Sequence, residues 1–156
     1  MILGKMPYLQ LLNHDNLHLL KNSGEAEVLP GLTLNVLSVF DRDNWSKPSS
    51  EDNINIALYH GSIHGCQTSQ GYVMTEAEDS VNIFEDFDFA MLGDIHKAQS
   101  MDIEGRVRYA GSTIQQNFGE SIDKGFLMWN IKSKNNFSAQ HVSIVNPRPL
   151  ITIKLN

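Results

Sequence analysis

Two short apolar runs stop abruptly at a metal-capable side chain beside a glycine: Leu58-Tyr59-His60-Gly61 and Leu92-Gly93-Asp94-Ile95-His96-Lys97. Runs of this length and ending read as strands of a sheet whose ends carry chemistry. Open α/β folds keep their ligands at that edge. Asp94 and His96, at i and i+2 on an extended segment, point the same way. One site can therefore draw on both, with His60 delivered by a neighbouring strand.

The rest of the chain reads mostly as strands too. Gly31 to Phe40 alternates and is rich in apolar and β-branched residues, which predicts a strand. Ile54 to Tyr59, Phe87 to Leu92, Arg106 to Ala110, Gly125 to Ile131, Ala139 to Val145 and Leu150 to Leu155 are further predicted strands. Asp41 to Asn53 is a polar loop containing Lys47-Pro48-Ser49-Ser50. His60 to Tyr72, with Gly61, Gly65 and Gly71, is a candidate active-site loop. Thr75 to Phe84 is the place for a short helix, because Thr75 suits an N-cap and Glu76 and Glu78 suit a first turn. Lys132 to Asn136 is a polar turn, and Asn146-Pro147-Arg148-Pro149 resembles a linker leaving a domain. The expected class is α/β, strand-rich with few helices, in one domain over residues 1–156. With so few helices, one sheet face must pack on a second sheet or on another copy of the chain.

Composition narrows the partners. The formal net charge of -6 argues against tight nucleic-acid binding by this chain alone, although bound divalent ions offset carboxylates at a nuclease site. No apolar run approaches the roughly 18 residues that span a bilayer, so no membrane partner is expected. The one cysteine, Cys66, has no partner for an internal disulfide. A cytoplasmic setting and a passive thiol are the expectations.

Each candidate residue has a plain structural alternative. His60 is either a metal ligand or a satisfied histidine at a strand end. Asp94 and His96 offer oxygen and imidazole donors that suit manganese, iron or zinc, whereas Gly93-Asp94 is also the signature of a turn in which aspartate bonds its own backbone. His14 and Asp15, in Asn13-His14-Asp15, could supply a ligand and an orienting carboxylate but fit a polar loop better. His18, His64 and His141 have no evident partner. Gly111-Ser112-Thr113 combines close backbone approach with hydroxyl donors and suits a phosphate, or an ordinary turn.

In order, Tyr59-His60-Gly61, Phe87 to His96, Tyr109-Ala110-Gly111-Ser112, Phe118-Gly119-Glu120 and Lys124-Gly125-Phe126 resemble the second half of an SbcD-type DNA-repair exonuclease, a calcineurin-like metallophosphoesterase. Pro147-Arg148-Pro149-Leu150-Ile151 is similar to that family's exit from its nuclease domain. The resemblance implies half of a β-sandwich with flanking helices. It also implies two metal ions, usually manganese, hydrolysis of DNA phosphodiesters, and an SbcC-type ATPase partner. It implies metal ligation by His60, Asp94 and His96; Gly111 and Ser112 are the candidate substrate contacts on their own chemistry. Asp94 stands where the family carries the first histidine of a Gly-His-X-His motif. The family's earlier Asp-X-His and Gly-Asp motifs have no counterpart here, and Asn13-His14-Asp15 imitates a third without its leading glycine. No catalytic residue is therefore assigned. The chain is expected to be a truncated form, a split half or a fragment, binding metal weakly and inactive or nearly so alone. An uncovered sheet face makes it a candidate homo-oligomer. A non-catalytic interaction module, or a small-substrate phosphohydrolase with a site assembled between subunits, are the alternatives.

Overall fold

The computed structural model describes residues 19–153 of the 156-residue chain. His14, Asp15 and His18 lie outside the described residues.

Six strands form one sheet in the order β1-β2-β3-β4-β6-β5: β1 (Gly24–Leu29), β2 (Leu32–Leu37), β3 (Ile54–His60), β4 (Phe89–Gly93), β5 (Gln99–Ser100) and β6 (Val107–Tyr109). The central four, β2, β3, β4 and β6, are parallel, and β1 and β5 close the edges antiparallel. A separate antiparallel hairpin pairs β7 (Lys124–Ser133) with β8 (Asn136–Ile144). The fold is thus a mixed, mostly parallel sheet plus a hairpin, a strand-rich core of α/β type with essentially no helix.

The apolar alternation of the strands decides how each face is covered. On one face Leu37, Ala57, Tyr59, Ala90, Leu92, Val107 and Tyr109 pack with Ile63, Cys66, Phe84 and Ile95 from the connections. Cys66 is fully buried there. Tyr109 locks the loop after β3, donating its hydroxyl proton to the Gly61 carbonyl at 2.7 Å and accepting from the Ile63 N–H at 3.1 Å. On the opposite face, Phe89 meets the hairpin through Trp129 and Phe137, with ring centroids 5.9 and 4.8 Å away. The Arg106 guanidinium lies over Phe89 and Phe137 and donates to the Lys134 carbonyl.

Three expectations change. The segment around Thr75 to Phe84 holds a four-residue 3-10 helix, Val81–Phe84, not a helix starting at Thr75. Asp79 bridges to Ile63 in strand fashion and binds Arg42 and Tyr59 with its carboxylate, which ties this segment to the sheet instead of leaving it free to wind into a helix. Leu150 to Ile153 is not a strand: both backbone groups of Leu150 bond the Gln115 side chain. The remainder of that expected strand lies outside the described residues. β1 was not anticipated, since Glu25 and Glu27 disguise it. Among the described residues no helix is long and apolar enough to cross a membrane.

Candidate metal site

Parallel pairing puts the C-terminal ends of β2, β3, β4 and β6 on one edge, and the register does the rest. His60 pairs with Gly93, and Leu92 pairs with Tyr109. His60, Asp94 and the Gly111-Ser112 turn therefore leave the sheet side by side.

His60 Nε2 lies 3.8 Å from Asp94 Oδ1. Two donors held on one ion at about 2.1 Å stand roughly 3.0–3.8 Å apart for ligand angles between about 90° and 130°, so the pair fits a shared divalent cation. At 3.8 Å it is not a hydrogen bond. Gly93 makes room for the arrangement: a Cβ there would stand 2.7 Å from His60 Nδ1. Asp94 has φ +86°, the one non-glycine with positive φ among the described residues. Among those residues no hydrogen bond joins its carboxylate to its own backbone, so the simple aspartate-turn reading does not account for it.

His96 lies beside Asp94 in the wall of a cleft of about 440 Å³ that also includes Tyr72, Asn117 and Glu120. Its Nδ1 is 2.9 Å from Glu120 Oε1. Glu120 and Lys124 are both almost fully buried and paired at 2.7 Å. Burial pushes the Glu120 carboxyl up, but hydrogen bonds from Lys124, His96 and the Gln116 N–H outweigh it and hold the group down at about 2. Sequence reading met Glu120 and Lys124 as parts of motifs and gave neither a role.

The three proposed ligands thus share an edge without converging: among the described residues no group of three His, Cys, Asp or Glu side chains gathers at metal-binding distance. Gly111, at φ +80°, packs its Cα against Ala98, where a Cβ would stand 2.9 Å from the Ala98 nitrogen. The Ser112 hydroxyl donates to the Ile114 carbonyl at 2.9 Å. His64 Nδ1 donates to the Thr75 carbonyl at 3.0 Å, and His141 borders a second cleft that also touches His96.

No protein-family model matches the chain. It is 32% identical over 151 residues to an uncharacterized protein of Acanthamoeba polyphaga mimivirus, covering 90% of this chain and 11% of that protein. It is 30% identical over 101 residues to a protein of Invertebrate iridescent virus 6 named "Putative phosphoesterase", covering 65% of this chain and 32% of that one. The chain is therefore a distant, partial homologue of viral proteins and spans a third or less of the length of these two.

Proposed function

We propose that this chain is the metal-binding second half of an SbcD-like metallophosphoesterase domain, with a linker leaving it near residues 146–149. The parental reaction is metal-dependent hydrolysis of DNA phosphodiesters, with an SbcC-type ATPase as partner. The observation that carries the reading is the His60–Asp94 pair, brought from neighbouring parallel strands to 3.8 Å with room made by Gly93. The name of the iridescent-virus relative supports the phosphoesterase class. The mixed oxygen and imidazole donors favour manganese. A bound divalent ion would polarise a phosphate oxygen and lower the pKa of a bound water. Gly111 and Ser112 border the same edge and are proposed to contact the substrate.

Catalytic sites usually present three or more protein ligands to an ion. Two here predict weak binding and little or no activity by the chain alone. Titration calorimetry with manganese tests the reading, with His60→Ala/His96→Ala as control. Saturable binding that the double variant loses supports it; heats identical in both proteins refute it.

A second copy is the proposed source of further donors when this chain is alone. Val28 and Leu29 are exposed at 48% and 61%, and Leu32, Leu34, Val36, Ile54 and Leu58 are only partly covered on the sheet face opposite the main core. Apolar surface of that kind favours association. Manganese affinity that rises steeply with protein concentration supports completion between copies, and affinity independent of concentration refutes it.

A further inference from the structure

We propose that Glu120 is a positioning residue that fixes the His96 imidazole with its proton on Nδ1 and leaves the Nε2 lone pair as the donor offered to a divalent cation. The cation rests on the metal-site reading above; the ring's protonation does not.

Glu120 has four partners. Oε1 accepts from His96 at 2.9 Å and from the Asn117 side-chain amide at 3.0 Å. Oε2 faces Lys124 Nζ at 2.7 Å and accepts from the Gln116 N–H at 3.2 Å. The Glu120 carbonyl is held as well, by Gln115 Nε2 at 3.0 Å. Lys124 then reaches back and donates to the His96 carbonyl at 3.1 Å. One ion pair therefore grips residue 96 at its ring and at its backbone.

The chemistry follows from charge. An ionised carboxylate only accepts, so the imidazole nitrogen facing it must carry the proton. In the neutral ring the other nitrogen, Nε2, is then the acceptor. Metal-binding histidines are commonly oriented this way, because a carboxylate on the far nitrogen fixes the tautomer and makes the ligating nitrogen more basic.

A purely structural role explains the pair poorly. Glutamate and lysine side chains exposed at only 2% and 3% lose most of their hydration, and apolar residues of similar volume often stabilise a fold as well or better. Orienting the ring of an adjacent, one-third exposed histidine gives the pair a use that apolar residues cannot supply.

Long-range proton–nitrogen NMR on the metal-free, uniformly 15N-labelled chain at neutral pH reads the tautomer, with His96 assigned by its loss in His96→Ala. The expected spectrum has a protonated Nδ1 and an unprotonated Nε2. An Nε2-protonated or averaged ring overturns the proposal, and no variant is needed for that result. Glu120→Leu/Lys124→Met removes both buried charges together, leaving neither unpaired. In this variant the tautomer signals should average and manganese affinity should fall about 10–100-fold. A variant that keeps the wild-type tautomer and affinity also overturns the proposal. If the wild-type chain binds no manganese yet shows the fixed tautomer, the metal-site reading falls and the positioning role of Glu120 stands.

Discussion

Asp94 offers a test that separates stability from metal binding. Its φ of +86° is a conformation that side chains with a Cβ rarely adopt. For an ordinary L-residue such a backbone costs roughly 1–2 kcal/mol. Glycine escapes that cost but loses about 0.5–1 kcal/mol more chain entropy on folding. Asp94→Gly should therefore exceed Asp94→Ala by roughly 0.5–1 kcal/mol, with wild type between them because aspartate tolerates positive φ better than alanine. For a chain of this size that separates the two melting temperatures by about 1–4 °C. The His60 contact does little to blur the comparison: the pair is 3.8 Å apart with side chains 79% and 50% exposed, where ion pairs contribute little. Both variants lose the same donor, so manganese affinity should fall by at least about tenfold in each, no less than when a supporting residue is lost. Paired thermal melts and calorimetric titrations read both quantities on the same samples. An alanine variant as stable as the glycine variant would refute the strained backbone. Unchanged manganese binding in both would refute Asp94 as a ligand.

Other perturbations separate the site from its scaffold. Gly93→Ala should leave the melting temperature within a few degrees, because the atom it meets belongs to an exposed ring that can swing away, yet lower manganese affinity by displacing His60; retained affinity would show that the ring position is not used. Asp79→Ala strips partners from the Tyr59 hydroxyl at 2.7 Å and from both Arg42 terminal nitrogens at 2.9 and 2.7 Å. Hydrogen bonds to a charged group contribute about 1.5–3 kcal/mol each, and solvent reaches Arg42, so a loss of about 3 kcal/mol in urea unfolding is expected and one below about 1 kcal/mol would contradict the geometry. Glu120 titrates at about 2 in the folded chain against 4.5 ordinarily, so its contribution is complete above pH 4.5 and fades as pH falls through 2. That difference corresponds to about 3 kcal/mol. Wild type should lose correspondingly more stability than Glu120→Leu/Lys124→Met between pH 6 and pH 2.5, and equal losses would argue against the depressed carboxyl.

The sheet was largely legible because burial on both faces leaves a simple trace. β3 and β4 are short, nearly continuous apolar runs, the pattern that central parallel strands require. β7 and β8 alternate, with Leu127, Trp129 and Phe137 turned toward the sheet and Met128 and Gln140 away. β1 escaped because an edge strand keeps charges that read as loop, and β5 because two residues hold no period. At the site, His60 and Asp94 were visible since each interrupts an apolar run beside a glycine. Glu120 was not: in Asn117-Phe118-Gly119-Glu120-Ser121 it looks like a surface residue, and only the approach of Lys124 and His96 buries and ionises it. Asp79 was hidden for the same reason, since Arg42 and Tyr59 lie 37 and 20 residues away.

The shortfall in ligands has a source in the topology. Of the parallel strands, β3 ends in His60 and β4 runs into Asp94, but β6 ends in a glycine-serine turn with no ionisable donor. After β2 the nearest carboxylate, Asp41, is already engaged, accepting from the Ser23 N–H at 2.8 Å and the Asn44 amide at 2.6 Å. Asp79, which sits close to Tyr59, is committed to Arg42. On the proposed metal-site reading, a third ligand for the His60–Asp94 pair would come from outside the described residues, either from elsewhere in sequence or from another polypeptide. An aspartate at position 94 suits that situation. Where the family resemblance puts a neutral imidazole, a carboxylate brings a formal charge toward a divalent ion and strengthens attraction at a site short of donors. Asp94→His tests this directly. If charge offsets the missing ligand, the histidine variant should bind manganese more weakly than wild type in calorimetry on the isolated chain. Tighter binding by the variant would mean that donor type, not charge, limits the half-site.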